Sequence, residues 1–222
     1  MPHTARVTSI RALTPRVVEL EATMVEPDRL DYRAGQYVSI YLPGTSDQRS
    51  YSIASSPGDP TRFALLVRRQ GGAGSAFLSS LETDDTFQFD GPRGAFQLAD
   101  EHPGDVVFAA TGVGVAPLFP MAEALLARGG DTQVRLYWGL MDETDVFWPE
   151  RVAALAANPR FASTLVLTGL GQGFVTEPVI ATASELGAPT YYLCGNGQMI
   201  RDVIDGLVTR GVDLARIRTD WT

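Results

Sequence analysis

The stretch over residues 106–126, VVFAATGVGVAPLFPMAEALL, constrains the fold more than any other part of the chain. An apolar run enters Thr111-Gly112-Val113-Gly114 and then a helix-like pattern with Pro117 in its first turn. That order predicts strand, tight turn and helix. Glycines between a strand and a helix let the backbone approach a ligand, and the helix start offers unpaired N–H groups and a positive dipole end to a phosphate. The spacing Gly112-x-Gly114-x-x-Pro117 lacks the third glycine of the common dinucleotide turn. Pro117 is tolerated at the first helical position because the N–H it removes would be unpaired there. Alone, the stretch fits either a dinucleotide-binding turn or the plain turn glycines of an α/β domain.

The texture of the chain differs on the two sides of this stretch. Upstream, short β-type runs over 5–11, 16–22, 37–42, 49–54, 62–68 and 86–90 are broken by Pro, Gly and Asp. Between the last two, Gly71-Gly72-Ala73-Gly74-Ser75-Ala76-Phe77-Leu78 reads as a glycine-rich turn into a short helix with Ser75 as its cap. From Asp105 onward, strands over 106–110, 134–139, 164–168, 191–194 and 216–219 alternate with helices over 117–128, 149–157, 177–186 and 198–210, as a parallel sheet with helices on its faces requires. The polar stretch 97–104 separates the two textures. The expected fold is two-domain: an antiparallel β-barrel over residues 1–100, followed by an α/β parallel-sheet domain over 101–222.

Composition excludes several chemistries. Cys194 is the single cysteine, so neither an internal disulfide nor a four-thiolate iron–sulfur cluster can form. His3 and His102 lie far apart and outside any metal-spaced motif. The net charge is −8 and every basic residue is arginine without a basic run, which argues against nucleic-acid and anionic-membrane binding. No signal-type leader and no membrane-length apolar run is evident, so a cytoplasmic protein is expected.

Three further stretches are candidates to face a crevice between the domains. In Arg49-Ser50-Tyr51-Ser52, strand alternation puts Arg49 and Tyr51 on one face, where a cation and an aromatic suit a ligand with an anionic part and a flat ring; an ordinary half-exposed strand is the other reading. The Gly74-Ser75 helix start is either a second phosphate site or a simple connection. In Leu193-Cys194-Gly195-Asn196-Gly197-Gln198-Met199 a buried strand ends in a turn, and Cys194 is either a small core residue or part of a site.

Taken in order, these motifs and Gly91-Pro92-Arg93-Gly94-Ala95-Phe96 resemble the ferredoxin-NADP reductase superfamily over nearly the whole chain. The resemblance implies a flavin barrel followed by a nicotinamide-nucleotide domain. It implies that Arg49 pairs with flavin phosphates, Tyr51 packs on the isoalloxazine and Ser52 lies near flavin N5. Gly74, Ser75 and Ala76 would hold a pyrophosphate through backbone N–H groups. Thr111, Gly112, Gly114 and Pro117 match the nucleotide turn, and Cys194, Gly195 and Met199 the nicotinamide pocket. Tyr51, Ser52 and Cys194 are the implied catalytic positions. The implied cofactor is FAD, with FMN possible, and NADH or NADPH is the co-substrate. Arg68 and Arg69 are expected to help hold flavin or to face a partner, and Trp221 either covers the flavin or packs on the sheet edge.

Two departures stand out. Asp84 replaces a glycine common in relatives, and the segment after Thr168, Gly169-Leu170-Gly171-Gln172-Gly173, is shorter than the loop that commonly holds the adenosine end. With Met141-Asp142-Glu143 after the second α/β strand and no basic residue in the short loop, NADH is expected over NADPH. Since one cysteine cannot hold an iron–sulfur cluster, the electron acceptor would be a separate ferredoxin, flavodoxin or oxygenase partner. Two rivals remain: a reductase that takes free flavin as substrate, and a non-catalytic flavin- or nucleotide-binding subunit of a larger redox complex.

Overall fold

The computed structural model describes residues 2–69, 72–102 and 104–220. Its first half contains β1 (His3–Ala12), β2 (Val17–Glu26), β3 (Tyr37–Tyr41), β4 (Gln48–Ser52), β5 (Arg62–Arg68), α1 (Ala73–Ser80) and β6 (Thr86–Arg93). The six strands run in the order β4-β3-β6-β1-β2-β5, and every pairing is antiparallel. A bridge between Ile53 and Leu65 brings the two edges together into a barrel. Alternate side chains fill its interior: Ala5, Val7, Leu20, Ala22, Val38, Ile40, Phe63, Leu65, Phe87 and Phe89, with Leu78 of α1 plugging one end. β5 is buried from Phe63 through Val67 because its outer face is also covered, by the second half of the chain. Asp84 takes φ +75, so the position needs a left-handed residue and aspartate, which tolerates that region, supplies it in place of glycine.

The second half comprises β7 (Val106–Thr111), α2 (Leu118–Ala127), β8 (Val134–Leu140), α3 (Pro149–Ala156), β9 (Phe161–Leu167), α4 (Thr176–Glu185), β10 (Thr190–Cys194), α5 (Gly197–Thr209) and β11 (Ile217–Thr219). Its parallel sheet has the order β11-β10-β7-β8-β9. α2 and α3 pack on one face, among Phe108, Leu118, Phe119, Leu136, Trp138 and Leu155, while α4 and α5 cover the other, among Val107, Tyr191, Val179 and Val203. Val106, Phe108 and Ala110 alternate with Val107 and Ala109 between these two cores, which is why β7 reads as an unbroken apolar run.

Several expected element ends shift, among them those of β1, β2, β4 and β6, which run to different residues than the sequence pattern implies, and two shifts have a clear cause. β9 starts at Phe161, not near 164, because it is an edge strand whose residues 162–165 are exposed and give no apolar run. Pro117 caps α2 from just outside it, after a 3₁₀ turn over Gly112–Val115, so the helix begins one residue later than the pattern suggests. The halves share one apolar cluster in which Val17, Ala54, Leu66, Phe96 and Leu98 meet Val115, Phe119 and Met121.

Candidate functional site

Parallel strands end on a common edge, and here the strand order reverses at β7, with β8 and β9 on one side and β10 and β11 on the other. A crevice opens at such a switch point. It is a cleft of about 980 Å³ between the halves, lined on the barrel side by Ser50, Tyr51, Ser52, Arg68 and Ser75 and on the sheet side by Thr111, Gly112, Gly114, Cys194, Gly195 and Met199.

The turns after β7 and β10 interlock across the switch point. Thr111 Oγ1 accepts the backbone N–H of Asn196 at 2.8 Å. A Cβ on Gly114 would lie 2.5 Å from the Cys194 carbonyl oxygen and 2.6 Å from Gly195 Cα, and one on Gly195 would lie 2.8 Å from the Thr111 nitrogen. Backbone meets backbone, so only glycine fits at either position. Gly112 differs: it sits at φ +55 with open space where a Cβ would be, and its carbonyl accepts Trp138 Nε1–H at 3.0 Å. Pro117 is buried behind this turn and does not line the cleft.

The barrel side is built differently. Gly74, in the first turn of α1, lies against Arg49 and Tyr51; a Cβ there would come within 2.7 Å of Arg49 Cγ and of the Tyr51 hydroxyl. The two side chains predicted to share a strand face thus meet at one helix start. Arg49 itself stays outside the cleft lining, its guanidinium donating to the Gln48 carbonyl at 2.7 Å and to Asp47 Oδ2 at 3.4 Å. Half-burial raises the Tyr51 phenol above its ordinary pKa, against a smaller opposing pull from Arg49.

Ser75 does not cap α1. The helix begins at Ala73, so Ser75 is its third residue and its hydroxyl donates back to the Gly72 carbonyl at 3.0 Å. Ala76 N–H is bonded to the same carbonyl at 3.0 Å and is not available to an anion, which leaves the N–H groups of Ala73, Gly74 and Ser75 as those preceding the first intrahelical bond.

Cys194 is 3% exposed at the end of β10, and its thiol donates to Asp220 Oδ2 at 2.8 Å. Burial, reinforced by that carboxylate, pushes the thiol well above its ordinary pKa, and partial desolvation raises Asp220 as well. Cys194 therefore stays a protonated thiol at neutral pH. Met199 is buried in the first turn of α5 but borders the cleft. Trp221 lies outside the described residues.

Several cleft residues carry no sequence signal. Arg16 and Val17, at the start of β2, line it, as do Leu66, Asp145, Phe174, Asp202 and Asp220. Asp220 stood beside Trp221 and Phe174 beside Gly173, both already singled out, but neither was itself marked. Arg16 reaches Asp145 at 3.5 Å across the two halves, a pairing 129 residues apart in sequence that no local pattern announces. Met141, just past β8, and Phe174, just ahead of α4, are 55% and 62% exposed and give the cleft apolar lining. Among the described residues, no cluster of His, Cys, Asp and Glu could hold a metal ion, and no helix is long and apolar enough to cross a membrane.

Comparison with known proteins agrees with this arrangement. Residues 4–98 match the oxidoreductase FAD-binding domain family and residues 108–205 the oxidoreductase NAD-binding domain family. The chain is 35% identical to ferredoxin–NADP reductase B of Sorangium cellulosum (strain So ce56), over 90% of this chain and 88% of that one. It is 30% identical to the propane 2-monooxygenase reductase component of Gordonia sp. (strain TY-5), over 89% of this chain but only 61% of the relative, so it spans about three-fifths of that protein. The crystal structure of the Amycolatopsis cytochrome P450 reductase GcoB superposes with a TM-score of 0.89 at 26% identity, over 99% of this chain and 69% of that one.

Proposed function

This chain belongs to the ferredoxin-NADP reductase superfamily of FAD- and NAD-binding oxidoreductases, and from that premise we propose that it takes a hydride from NADH and passes the electrons singly to a separate ferredoxin, flavodoxin or oxygenase component. The observation that carries this reading is the cleft itself, which sets Tyr51 and Ser52 of the barrel opposite the interlocked Thr111–Gly114 and Cys194–Gly195 turns. When bound, FAD supplies two-electron acceptance from reduced nicotinamide and one-electron release to the acceptor. We assign flavin to residues 1–100 and the nucleotide to residues 101–222.

The chain's own groups have separable tasks in this reading. Arg49 and the N–H groups of Ala73, Gly74 and Ser75 hold flavin phosphates, and Arg68 adds a second cation at the cleft wall. Tyr51 would pack against the flavin ring, and the Ser52 hydroxyl would offer it a hydrogen bond from the same cleft wall. Gly112 leaves open the space where a side chain would stand, Gly114 and Gly195 let the two turns close on each other beside the nucleotide, and Cys194, as a thiol, would pack beside the nicotinamide. It does not act as a nucleophile, because the thiolate form is disfavoured by burial beside Asp220.

Preference for NADH is supported by charge. Asp142, at the end of β8, is tied to the Thr144 backbone N–H at 2.9 Å, and Glu143 beside it is exposed. Arg16 and Arg68, the arginines lining the cleft, both come from the barrel rather than from the strand ends where a 2′-phosphate would need them. We place the reaction in the cytoplasm, where reduced nicotinamide nucleotides are available and a lone thiol stays reduced.

The test is the visible spectrum of the purified chain before and after NADH without oxygen. Bound flavin that bleaches, with a higher kcat/KM for NADH than for NADPH, is the expected result. A colourless chain that oxidises NADH only with added riboflavin or FMN would replace this reading with a flavin-as-substrate reductase, and no turnover under either condition would defeat it.

A further inference from the structure

Beside the cleft, the two halves are joined by a polar cluster to which the reading above gives no task. Arg151, on α3, lays its guanidinium over the Trp148 ring, 4.3 Å from the centroid, and 5.0 Å from that of Phe119. Its Nε and Nη2 donate to Glu123 Oε1 of α2 at 3.1 and 2.7 Å. Its Nη1 donates to the carbonyl of Ala54 at 3.0 Å. Ala54 is in the barrel, just past the end of β4 at Ser52. Glu123 also accepts the hydroxyl of Ser56 in the same barrel segment. One guanidinium and one carboxylate from the α/β half thus grip the chain on which Tyr51 and Ser52 are carried.

A second tie backs the first. Trp148 is buried at φ +56, a left-handed conformation that a bulky residue takes only under tertiary constraint, and its Nε1–H donates to Glu19 Oε1 of β2 at 3.0 Å. Glu19 is 7% exposed and its other oxygen accepts Arg11 Nη2 at 2.7 Å. The strained Trp148 backbone presents the indole to the barrel and its ring face to Arg151 at once.

We propose that Arg151 and Glu123 are positioning residues for hydride transfer. By pinning residues 54–56 to α2 and α3, they set how far the flavin-bearing end of β4 stands from the turns after β7 and β10. The inference rests on the reading that a hydride crosses this cleft. Neither residue is part of the cleft lining, so their loss misaligns donor and acceptor without removing a contact to the ligand.

The experiment is single-turnover reduction of bound flavin at saturating NADH, without oxygen, in wild-type, Arg151→Ala, Glu123→Ala and Glu123→Gln chains, with flavin content and NADH Kd measured alongside. Both alanine variants are expected to slow reduction about tenfold or more, since small displacements of reacting atoms carry such penalties. Flavin content and Kd stay at wild-type values. Glu123→Gln, whose amide oxygen still accepts from Arg151 while its NH2 donates to the Ser56 hydroxyl in reverse, retains the wild-type rate and shows that geometry is what matters. Should Arg151→Ala fail to fold, the Glu123 pair carries the same comparison. Alanine variants as fast as wild type, or slowed only in proportion to lost flavin or weakened NADH binding, overturn the latch alone. Wild-type flavin that NADH does not bleach overturns the hydride reading, and the latch with it.

Discussion

The two halves of the molecule each end a strand-and-turn unit in a glycine beside a helix start, and the two glycines are there for different reasons. Gly114 is hemmed in by backbone: the Cys194 carbonyl and Gly195 Cα occupy the space a Cβ would take. Gly74 is hemmed in by side chains, Arg49 and Tyr51, that belong to the proposed flavin site. The α/β half therefore uses glycine to let two turns dock, and the barrel half uses it to seat two functional side chains. A backbone obstacle cannot yield without moving the sheet, whereas a side chain can turn away and take its function with it.

That difference predicts opposite profiles for the same substitution. Gly114→Ala should have the largest effect, costing about 3 kcal/mol of stability by thermal or urea denaturation, because overpacking against backbone forces strand ends apart. NADH affinity falls with it. Gly114→Ala with wild-type stability would show that the turns are free to separate, and the contrast would collapse.

Gly74→Ala should cost less stability than Gly114→Ala, because Arg49 Cγ and the Tyr51 hydroxyl can turn away while Arg49 Cβ, 2.8 Å off, makes β4 shift slightly; Arg49 and Tyr51 are displaced either way. Flavin affinity is expected to fall on the order of tenfold, ~1.4 kcal/mol, read as the ratio of flavin to protein absorbance after dialysis. A large loss of stability with flavin retained would reverse the assignment of cause.

Gly112→Ala sharpens the comparison within one turn. Nothing crowds its Cβ, so only the left-handed φ of +55 resists the change, at roughly 1–2 kcal/mol. Gly112→Asn, which accepts that conformation more readily, should recover part of the loss.

The smallest effect expected is electrostatic. Asp220 is an exposed residue whose carboxyl is nevertheless partly desolvated, which raises its folded pKa, with the hydrogen bond from Cys194 opposing in part. A carboxyl raised in the folded state binds its proton more tightly there than in the unfolded chain, so stability falls as pH rises from the ordinary carboxylate value through the raised one, and stays lower above it. Asp220→Asn keeps an oxygen for the Cys194 thiol and removes the charge. Its Tm should lose that downward step and exceed the wild-type Tm at neutral pH by a small margin; equal pH profiles for the two chains would show that Asp220 does not carry the step.

The two halves also differed in how far they could be read from the chain. In the α/β half, β7, α2, β10 and α5 were legible because buried parallel strands are continuous apolar runs and each ends at a glycine. β9 was misplaced at its start, since an edge strand with residues 162–165 exposed has no such run. In the barrel, the strand set was legible from alternation, but the capping role given to Ser75 failed: where a helix starts is settled by which carbonyl Ala76 N–H reaches, and that is Gly72.

The sequence by itself determined the two architectures, their order, and the motif residues that line the cleft, because periodicity, glycine placement and a strand-turn-helix order are local properties that survive without knowing what packs where. Tertiary structure alone decided the rest. Arg16 meets Asp145, Trp148 meets Glu19, and Arg151 meets Ala54 across 129, 129 and 97 residues of chain. The two turns need glycine at 114 and 195 only because parallel pairing of β7 with β10 brings Thr111 and Cys194 to the same sheet edge. Contacts of that span follow from how two packed surfaces happen to be juxtaposed, and no window of sequence contains both of their sides.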